Sequence, residues 1–166
     1  MKISVITVCL NSEKTIERTI KSLIGQTHNN IEYIVIDGNS KDSTVNIIKS
    51  YSDYIDYFIS EKDEGLYSAL NKGIKASTGD IISILHSNDV FYNDDILKKI
   101  NNIFETGNID FLFTSVCYKK NFDNLKAYRV YKPGFKPWML RFGYSPPHTG
   151  FFAKKTELNK IGKYDE

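Results

Sequence analysis

Residues 82–90, Ile82-Ser-Ile-Leu-His-Ser-Asn-Asp-Val90, pass from an apolar strand directly into a short polar segment that contains an acid. The apolar half predicts a buried strand, and Asp89 follows just beyond its carboxyl end. Residues 34–40, Ile34-Val-Ile-Asp-Gly-Asn-Ser40, repeat this order of strand, acid and small polar turn. In an open α/β sheet, ligands bind beyond the carboxyl ends of the strands. The two strand ends therefore predict one site that can hold a nucleotide and a metal ion.

Strand and helix patterns alternate along the first two thirds of the chain. The apolar, β-branched run at residues 3–10 predicts a first strand buried on both faces, and apolar residues at helical spacing follow it up to Gly25. Further strands are predicted at residues 31–36, 54–60, 81–85 and 111–116, and helices at 45–48, 66–76 and 96–104. The alternation predicts an α/β fold with a mostly parallel central sheet, flanked by helices and joined by right-handed crossovers.

Polar residues before three of the helices offer side-chain caps. The candidates are Asn11 or Ser12, then Ser40 or Asp42, then Asn93 or Asp94. Side chains of these types accept hydrogen bonds from the free N–H groups of a first helical turn. We therefore expect the helices to begin directly after them.

The pattern changes after residue 116. Residues 118–144 contain seven basic side chains interleaved with aromatic ones, Trp138 among them, against the single acid Asp123. Alternation at residues 127–131 predicts an exposed antiparallel strand, and residues 150–154 a last strand. Three functions fit the segment: aromatic stacking on an acceptor sugar, basic contact with a lipid-linked diphosphate or anionic membrane surface, and a groove for single-stranded nucleic acid. A plainer interpretation is half-buried strand aromatics with solvated lysines.

Composition narrows the class of protein. The 166 residues are 41% hydrophobic and 25% charged, and no internal repeat or linker divides them, so we expect a single domain over residues 1–166. The net charge of +2 is too small for a general attraction to nucleic acid, and no nucleic-acid partner is expected. The two cysteines lie in apolar strand patterns, which favours buried thiols and a reducing compartment. No segment reaches the roughly 18 apolar residues of a membrane span. We expect a cytoplasmic location, either free or at the inner face of the membrane.

Seven short segments, each weakly specific alone, occur in a distinctive order. They include Asp63-Glu-Gly-Leu-Tyr67, Asn71-Lys-Gly73 and Ser87-Asn-Asp89. All seven are residues 4–11, 22–27, 32–44, 63–67, 71–73, 79–80 and 87–89. The order resembles the bacterial family 2 glycosyltransferases, which have the GT-A fold, over nearly the whole chain. The resemblance implies an inverting enzyme that transfers a sugar from a nucleotide sugar, with a UDP-sugar expected, to a polysaccharide or lipid-linked acceptor in bacterial surface glycan synthesis.

The resemblance also implies roles for individual residues. Asp89 corresponds to the family's ligand for Mn²⁺ or Mg²⁺, and a carboxylate oxygen suits either ion. Asn88 replaces one of the two adjacent acids usual in the family, so metal affinity is expected to be lower. Residues expected to line the nucleotide pocket are Thr7, Cys9, Asn11, Asp37, Asp63, Asn71 and Asn88.

Two of these acids also have a structural interpretation. Asp37 can accept hydrogen bonds from a base or a ribose hydroxyl, or it can cap the turn that follows it. Asp63 can contact the base or ribose, or it can stabilise a helix N-terminus through the helix dipole by under about 1 kcal/mol. The residues alone leave both alternatives open.

The acceptor side and the general base complete the sequence-based picture. His148, within Pro146-Pro-His-Thr-Gly150, and Trp138 are the acceptor-side candidates. An inverting transferase needs a general base, and in the family it follows a segment that resembles Gly162-Lys-Tyr-Asp-Glu166, so we expect it beyond Glu166. A binding module without turnover is therefore the alternative function. A nucleotidyltransferase is disfavoured because residues 8–13 lack a glycine-rich phosphate loop.

Overall fold

The computed structural model describes residues 1–119, 128–132, 134, 136–142, 147 and 149–165. The strands are β1 (Ile3–Cys9), β2 (Ile31–Asp37), β3 (Tyr57–Ser60), β4 (Ile81–Ile84), β5 (Phe111–Phe113), β6 (Val116–Tyr118), β7 (Arg129–Tyr131) and β8 (Phe151–Lys154). The helices are α1 (Ile16–Ile24), α2 (Thr44–Lys49), α3 (Leu66–Ala76), α4 (Ile96–Thr106) and α5 (Lys155–Ile161). Short 3₁₀ segments occupy Ser52–Tyr54 and Pro137–Phe142.

Six strands form one central sheet in the order β3-β2-β1-β4-β8-β5. The pairs among β1, β2, β3 and β4 are parallel, whereas β8 is antiparallel to both β4 and β5. Strands β6 and β7 form a separate antiparallel pair. This arrangement confirms the predicted α/β class, with a mostly parallel sheet and a small antiparallel element near the C-terminus.

The predicted continuous strand at residues 111–116 is wrong, because the chain leaves the sheet between β5 and β6. Thr114 is still bonded to the segment before β8, since its backbone N–H donates to the Gly150 carbonyl at 2.9 Å and its hydroxyl donates to the same oxygen at 3.1 Å. The segment is therefore tied to the turn before β8, and β6 pairs with β7 instead of continuing the sheet.

Helices cover both faces of the central sheet. Every residue of β1 is buried, as expected for a strand with covered faces. On one face Ile3 and Val5 share an apolar cluster with residues of α1 and α4, and on the other Ile6 and Val8 share one with α3. Helix α3 lies so close to β1 that a Cβ at Gly73 would be 2.4 Å from the Ile6 Cγ2 atom. Among the described residues, no helix has the length and apolar character needed to cross a bilayer.

A buried carboxylate joins three segments at the amino end of the sheet. The Glu32 carboxylate accepts hydrogen bonds from the Lys2 ammonium at 2.9 Å, the Ser4 hydroxyl at 2.5 Å and the Thr78 N–H at 2.6 Å. Burial alone would raise the pKa of Glu32, but these donors outweigh it and lower that pKa to about 2. This end of the sheet therefore carries a structural ionic network, opposite the edge where ligands are expected.

Candidate functional site

The loops after β1, β2 and β4 meet at the carboxyl edge of the sheet. The parallel register sets Cys9 beside Asp37, and β4 is the other neighbour of β1. The Ser12 and Ser87 hydroxyl oxygens, from the loops after β1 and β4, are 2.9 Å apart in a hydrogen bond. The structure thus brings segments about 75 residues apart in sequence to one edge, as the sequence predicts.

Asp37 holds the turn that follows β2. Its side chain is fully buried, and its carboxylate accepts hydrogen bonds from the Ser40 N–H at 3.0 Å, the Ser60 hydroxyl at 2.6 Å and the Ser40 hydroxyl. The backbone of this turn includes Asn39 in the left-handed region, at φ 67°. Asp37 therefore acts as a structural anchor for the turn in this structure, and its direct contact with a nucleotide stays a prediction.

The loops after β1 and β2 are joined by side-chain to backbone hydrogen bonds. Asn11, at φ 48°, donates its N–H to the Ser40 hydroxyl at 2.8 Å and accepts the Lys41 N–H on its side-chain oxygen at 2.8 Å. The Glu13 N–H donates to the Asp42 carboxylate at 3.1 Å. Asn11 is exposed at this edge, so its amide can reach a ligand as well as hold the loop.

Among the described residues, the predicted side-chain caps are confirmed at α2 alone, where the Asp42 carboxylate accepts a hydrogen bond from the N–H of Thr44, the first residue of α2, at 3.0 Å. The helices are preceded by Thr15, Ser43 and Asp95, and none of these three makes a side-chain cap hydrogen bond. Asn11 bonds instead across the two loops, and Asp42 also does so through its second carboxylate oxygen. Short polar side chains satisfy a neighbouring loop as readily as a helix end, and sequence alone does not separate the two uses.

Asp63 carries a buried oxygen that accepts no hydrogen bond from the residues that the structure describes. Its side chain is 7% exposed, and one carboxylate oxygen forms an ion pair with the Lys72 ammonium, which also pairs with Glu61. The hydrogen bonds from Asp63 and Glu61 raise the pKa of Lys72. The second oxygen, Oδ2, is buried and has no hydrogen-bond partner among the described residues. A Cβ at Gly38 would lie 3.6 Å from Oδ2, so this oxygen faces the turn after β2.

Thr7 and Cys9, predicted to line the pocket, have buried side chains. The Thr7 hydroxyl accepts a hydrogen bond from the Tyr33 hydroxyl at 3.2 Å. Burial, and then the neighbouring Asp37 carboxylate, raise the pKa of the Cys9 thiol. Contact between these residues and a nucleotide through their backbone stays a prediction.

Asn71 contacts the C-terminal segment. Its amide pairs with the Tyr164 backbone through two 3.0 Å hydrogen bonds, one accepted by the Tyr164 carbonyl and one donated by the Tyr164 N–H. The Tyr164 ring stacks on the Tyr67 ring at a centroid distance of 5.4 Å. These contacts dock Tyr164 on α3, and the nucleotide contact of Asn71 stays a prediction.

The segment after β4 places Asp89 at the common edge. Its N–H donates to the His86 carbonyl at 2.9 Å, and its own carbonyl accepts the Thr19 hydroxyl at 2.8 Å. The neighbouring Asn88 is exposed. Within the part of the chain described, no group of three His, Cys, Asp or Glu side chains could hold a metal ion. A single hard carboxylate ligand fits Mn²⁺ or Mg²⁺ only if a ligand's phosphate oxygens complete the coordination.

Of the two acceptor-side candidates, Trp138 lies within the described residues and His148 does not. Trp138 is 57% exposed and meets the 80% exposed Phe142 edge to face, with ring centroids 6.0 Å apart. Arg141, between them in the same 3₁₀ segment, is also exposed. His148 lies outside the described residues. Exposed aromatic and basic side chains thus lie together at Trp138, Arg141 and Phe142, and their contact with an acceptor stays a prediction.

Thr149 also contacts this site, although no sequence pattern predicts it. Its hydroxyl donates to the Asp89 Oδ2 atom at 3.1 Å. A threonine beside a glycine in a loop gives no sequence signal of this contact, because β8 must first insert next to β4.

The fold and this edge define a class of protein, namely a Rossmann-like α/β protein whose ligand site lies beyond the carboxyl ends of parallel strands. Residues 4–159 match the family described as Glycosyl transferase family 2. The chain therefore belongs to glycosyl transferase family 2, and the family predicted from the sequence is confirmed.

Two curated relatives support the family. A Mycobacterium tuberculosis protein described as an uncharacterized glycosyltransferase is 40% identical over 98 residues, or 58% of this chain and 37% of the relative. An uncharacterized glycosyltransferase of Rickettsia typhi is 39% identical over 108 residues, or 65% of this chain and 34% of the relative. The matches span about a third of the length of these relatives.

Solved structures share the fold. S. aureus TarS 1–349 in complex with UDP-GlcNAc has a TM-score of 0.73 and 20% identity, covering 97% of this chain and 47% of that one. The mannosyltransferase PcManGT from Pyrobaculum calidifontis, in complex with GDP-Man and Mn²⁺, has a TM-score of 0.71 and 17% identity, covering 99% and 47%. The GT-A fold expected from the sequence is thereby confirmed.

Proposed function

We propose that residues 1–166 form a single nucleotide-sugar-binding domain of an inverting glycosyltransferase. The donor is a UDP-sugar, bound with a divalent cation, and the acceptor is a glycan or lipid-linked saccharide of the bacterial surface. The reaction takes place on the cytoplasmic side of the membrane. The family supports glycosyl transfer, and solved structures of the same fold hold UDP-GlcNAc, UDP and GDP-Man.

The observation that carries the proposal is the buried Asp63 Oδ2 atom. Buried carboxylate oxygens nearly always accept a hydrogen bond, and leaving one without a donor costs about 1–3 kcal/mol. Oδ2 has no donor among the described residues and lies by Gly38, at the edge where the loops after β1 and β2 meet. A base N–H or a ribose hydroxyl supplies the missing donor. Lys72 holds the other oxygen and so fixes the direction in which Oδ2 points.

Asp89 is the residue proposed to hold the cation. Its Oδ2 atom accepts the Thr149 hydroxyl, and Oδ1 accepts no hydrogen bond within the described part of the chain. A bound Mn²⁺ or Mg²⁺ would neutralise the charge of the leaving diphosphate. The chain contributes one carboxylate, so the cation and the nucleotide diphosphate are expected to bind together.

The exposed aromatic and basic surface is proposed to face the acceptor or the membrane. Trp138 and Phe142 offer flat apolar rings for a sugar or for the headgroup region, and Arg141 offers a charge for phosphate. No nucleic-acid role is proposed for this surface.

A binding module without turnover is the second candidate. It is favoured by the single carboxylate at the metal position, where Asn88 is neutral. This candidate predicts the same nucleotide and cation binding, with neither sugar transfer nor donor hydrolysis.

The test is a calorimetric titration of the chain with UDP and with GDP, in Mn²⁺ and in EDTA. Metal-dependent UDP binding is expected. Asp63→Asn should weaken it at least about tenfold, because Lys72 retains the remaining oxygen and the amide NH₂ then meets the ligand's donor. Glu61→Gln is the matched control, since it removes the other, exposed partner of Lys72 and should have little effect.

Asp89→Ala should abolish the metal dependence, whereas Asp53→Ala, an exposed acid before β3, should leave it unchanged. Absence of metal-dependent binding of either nucleotide by the parent chain would remove the proposal. An assay of sugar transfer and UDP-sugar hydrolysis then separates the enzyme from the binding module.

A further inference from the structure

We propose that Thr149 is a positioning residue for the cation site: its hydroxyl fixes the Asp89 carboxylate so that Oδ1 faces the ligand. The inference rests on the proposed function and assigns a role to a residue outside the nucleotide contacts.

The sheet topology brings Thr149 to Asp89. Strand β8 is antiparallel to β4, so the residues just before Phe151 lie at the carboxyl end of β4. Gly150 has φ 79°, a conformation that favours glycine. A Cβ there would lie 2.6 Å from the Thr114 hydroxyl oxygen, which donates a hydrogen bond to the Gly150 carbonyl. The contacts of Gly150 thus fix the turn that carries Thr149.

Asp89 is held at three points. Its N–H donates to the His86 carbonyl and its carbonyl accepts the Thr19 hydroxyl, and these two hydrogen bonds fix the backbone. Its side chain accepts a hydrogen bond from Thr149. Because Oδ2 accepts the Thr149 hydroxyl at 3.1 Å, the Asp89 carboxylate is held in one orientation. Oδ1 is then the oxygen available to a cation.

The orientation of the Asp89 carboxylate matters more for cation binding than it would at a site with several acids. The described residues offer no cluster of three potential protein ligands, so this carboxylate bears most of the protein's share of cation binding. Groups that hydrogen-bond a metal-ligating carboxylate typically change metal affinity by about 10-fold to 100-fold when removed. A freely rotating Asp89 would have to be ordered each time the cation binds.

The experiment compares Thr149→Val, which removes the hydroxyl at nearly constant shape, with Thr149→Ser, which keeps it. Thr106→Val, at the exposed end of α4, is the matched control. Bound Mn²⁺ is measured from loss of the free-ion electron paramagnetic resonance signal in the presence of UDP, and UDP binding in EDTA is measured by calorimetry.

Thr149→Val is expected to weaken Mn²⁺ binding about tenfold while UDP binding in EDTA stays unchanged, and Thr149→Ser to remain within about twofold of the parent. If the valine variant loses metal-free UDP binding or folding, Thr149→Ala takes its place with the same expectation. Parent-like Mn²⁺ affinity in the variants lacking the hydroxyl overturns the positioning role alone. Failure of the parent to bind Mn²⁺ with UDP overturns the proposed function and this inference together.

Discussion

Glu32→Gln should destabilise the protein at neutral pH and much less in acid. Glutamine resembles a protonated glutamate in shape but has no charge, and its NH₂ group would face donors from Ser4 and Thr78 or from Lys2. The hydrogen bonds to the carboxylate lower the pKa of Glu32 from its ordinary value of 4.5 to about 2. Each tenfold change in proton affinity corresponds to about 1.4 kcal/mol, so the ionised form contributes roughly 3 kcal/mol to stability at pH 7.

The pH dependence follows from the direction of this shift. A carboxylate with a lowered folded-state pKa stabilises the protein above its unfolded pKa, and that contribution is lost as pH falls toward the folded value. The full contribution is therefore present above about pH 5.5, and about 2 kcal/mol of it is lost by pH 3. The difference in unfolding free energy between parent and Glu32→Gln should fall from about 3 kcal/mol at pH 7 to about 1 kcal/mol at pH 3.

Urea unfolding of both proteins at several pH values measures this difference, and the other carboxylates cancel in the comparison. Glu64→Gln, at an exposed site, serves as the control and should change stability little at any pH. A difference that stays constant between pH 7 and pH 3, or one below about 1 kcal/mol at pH 7, would refute the reasoning.

Three further predictions test the fold and its contacts. Gly73→Ala should destabilise by about 1–3 kcal/mol in urea unfolding, because the new carbon would lie 2.4 Å from a carbon of β1; stabilisation would instead show that helix propensity dominates. Cys117, which the sequence predicts to be buried, is exposed and should react quickly with an aromatic disulfide reagent, whereas Cys9, whose pKa is raised by burial, should react only on unfolding. Simultaneous reaction would contradict this burial. Asn71→Ala should speed amide hydrogen exchange at Tyr164 at least about tenfold while α3 stays protected, and an unchanged rate would mean the pairing contributes nothing to docking.

The sequence predicted the parallel part of the fold well because each strand carries its own signal. The first strand was expected at residues 3–10 and spans Ile3–Cys9, and the strand after residue 80 was expected at 81–85 and spans Ile81–Ile84. A strand buried on both faces needs a continuous apolar run, which few other structures require. The ends of these strands fixed the edge where the site lies.

What the sequence did not reveal depends on contacts between distant segments. The antiparallel place of β8 between β4 and β5 follows from packing and not from its own residues. The roles of Asp37 and Asn71 are similar cases, since their partners at Ser60 and Tyr164 lie 23 and 93 residues away. Residue type and position along a strand indicate which polar side chains suit binding, whereas only the fold decides which of them already have a partner within the protein.

The position of β8 between β4 and β5 in the central sheet also has a consequence for biosynthesis. Strands β1 to β4 pair among themselves, so four strands can assemble once residue 84 has left the ribosome. Strand β5, by contrast, pairs in the central sheet with β8, which ends at Lys154. A nascent chain halted between these two points would display the unpaired flank of β4 together with Phe111 and its neighbours, the kind of surface that chaperones bind. Slow translation through this interval should therefore increase aggregation of the newly made protein.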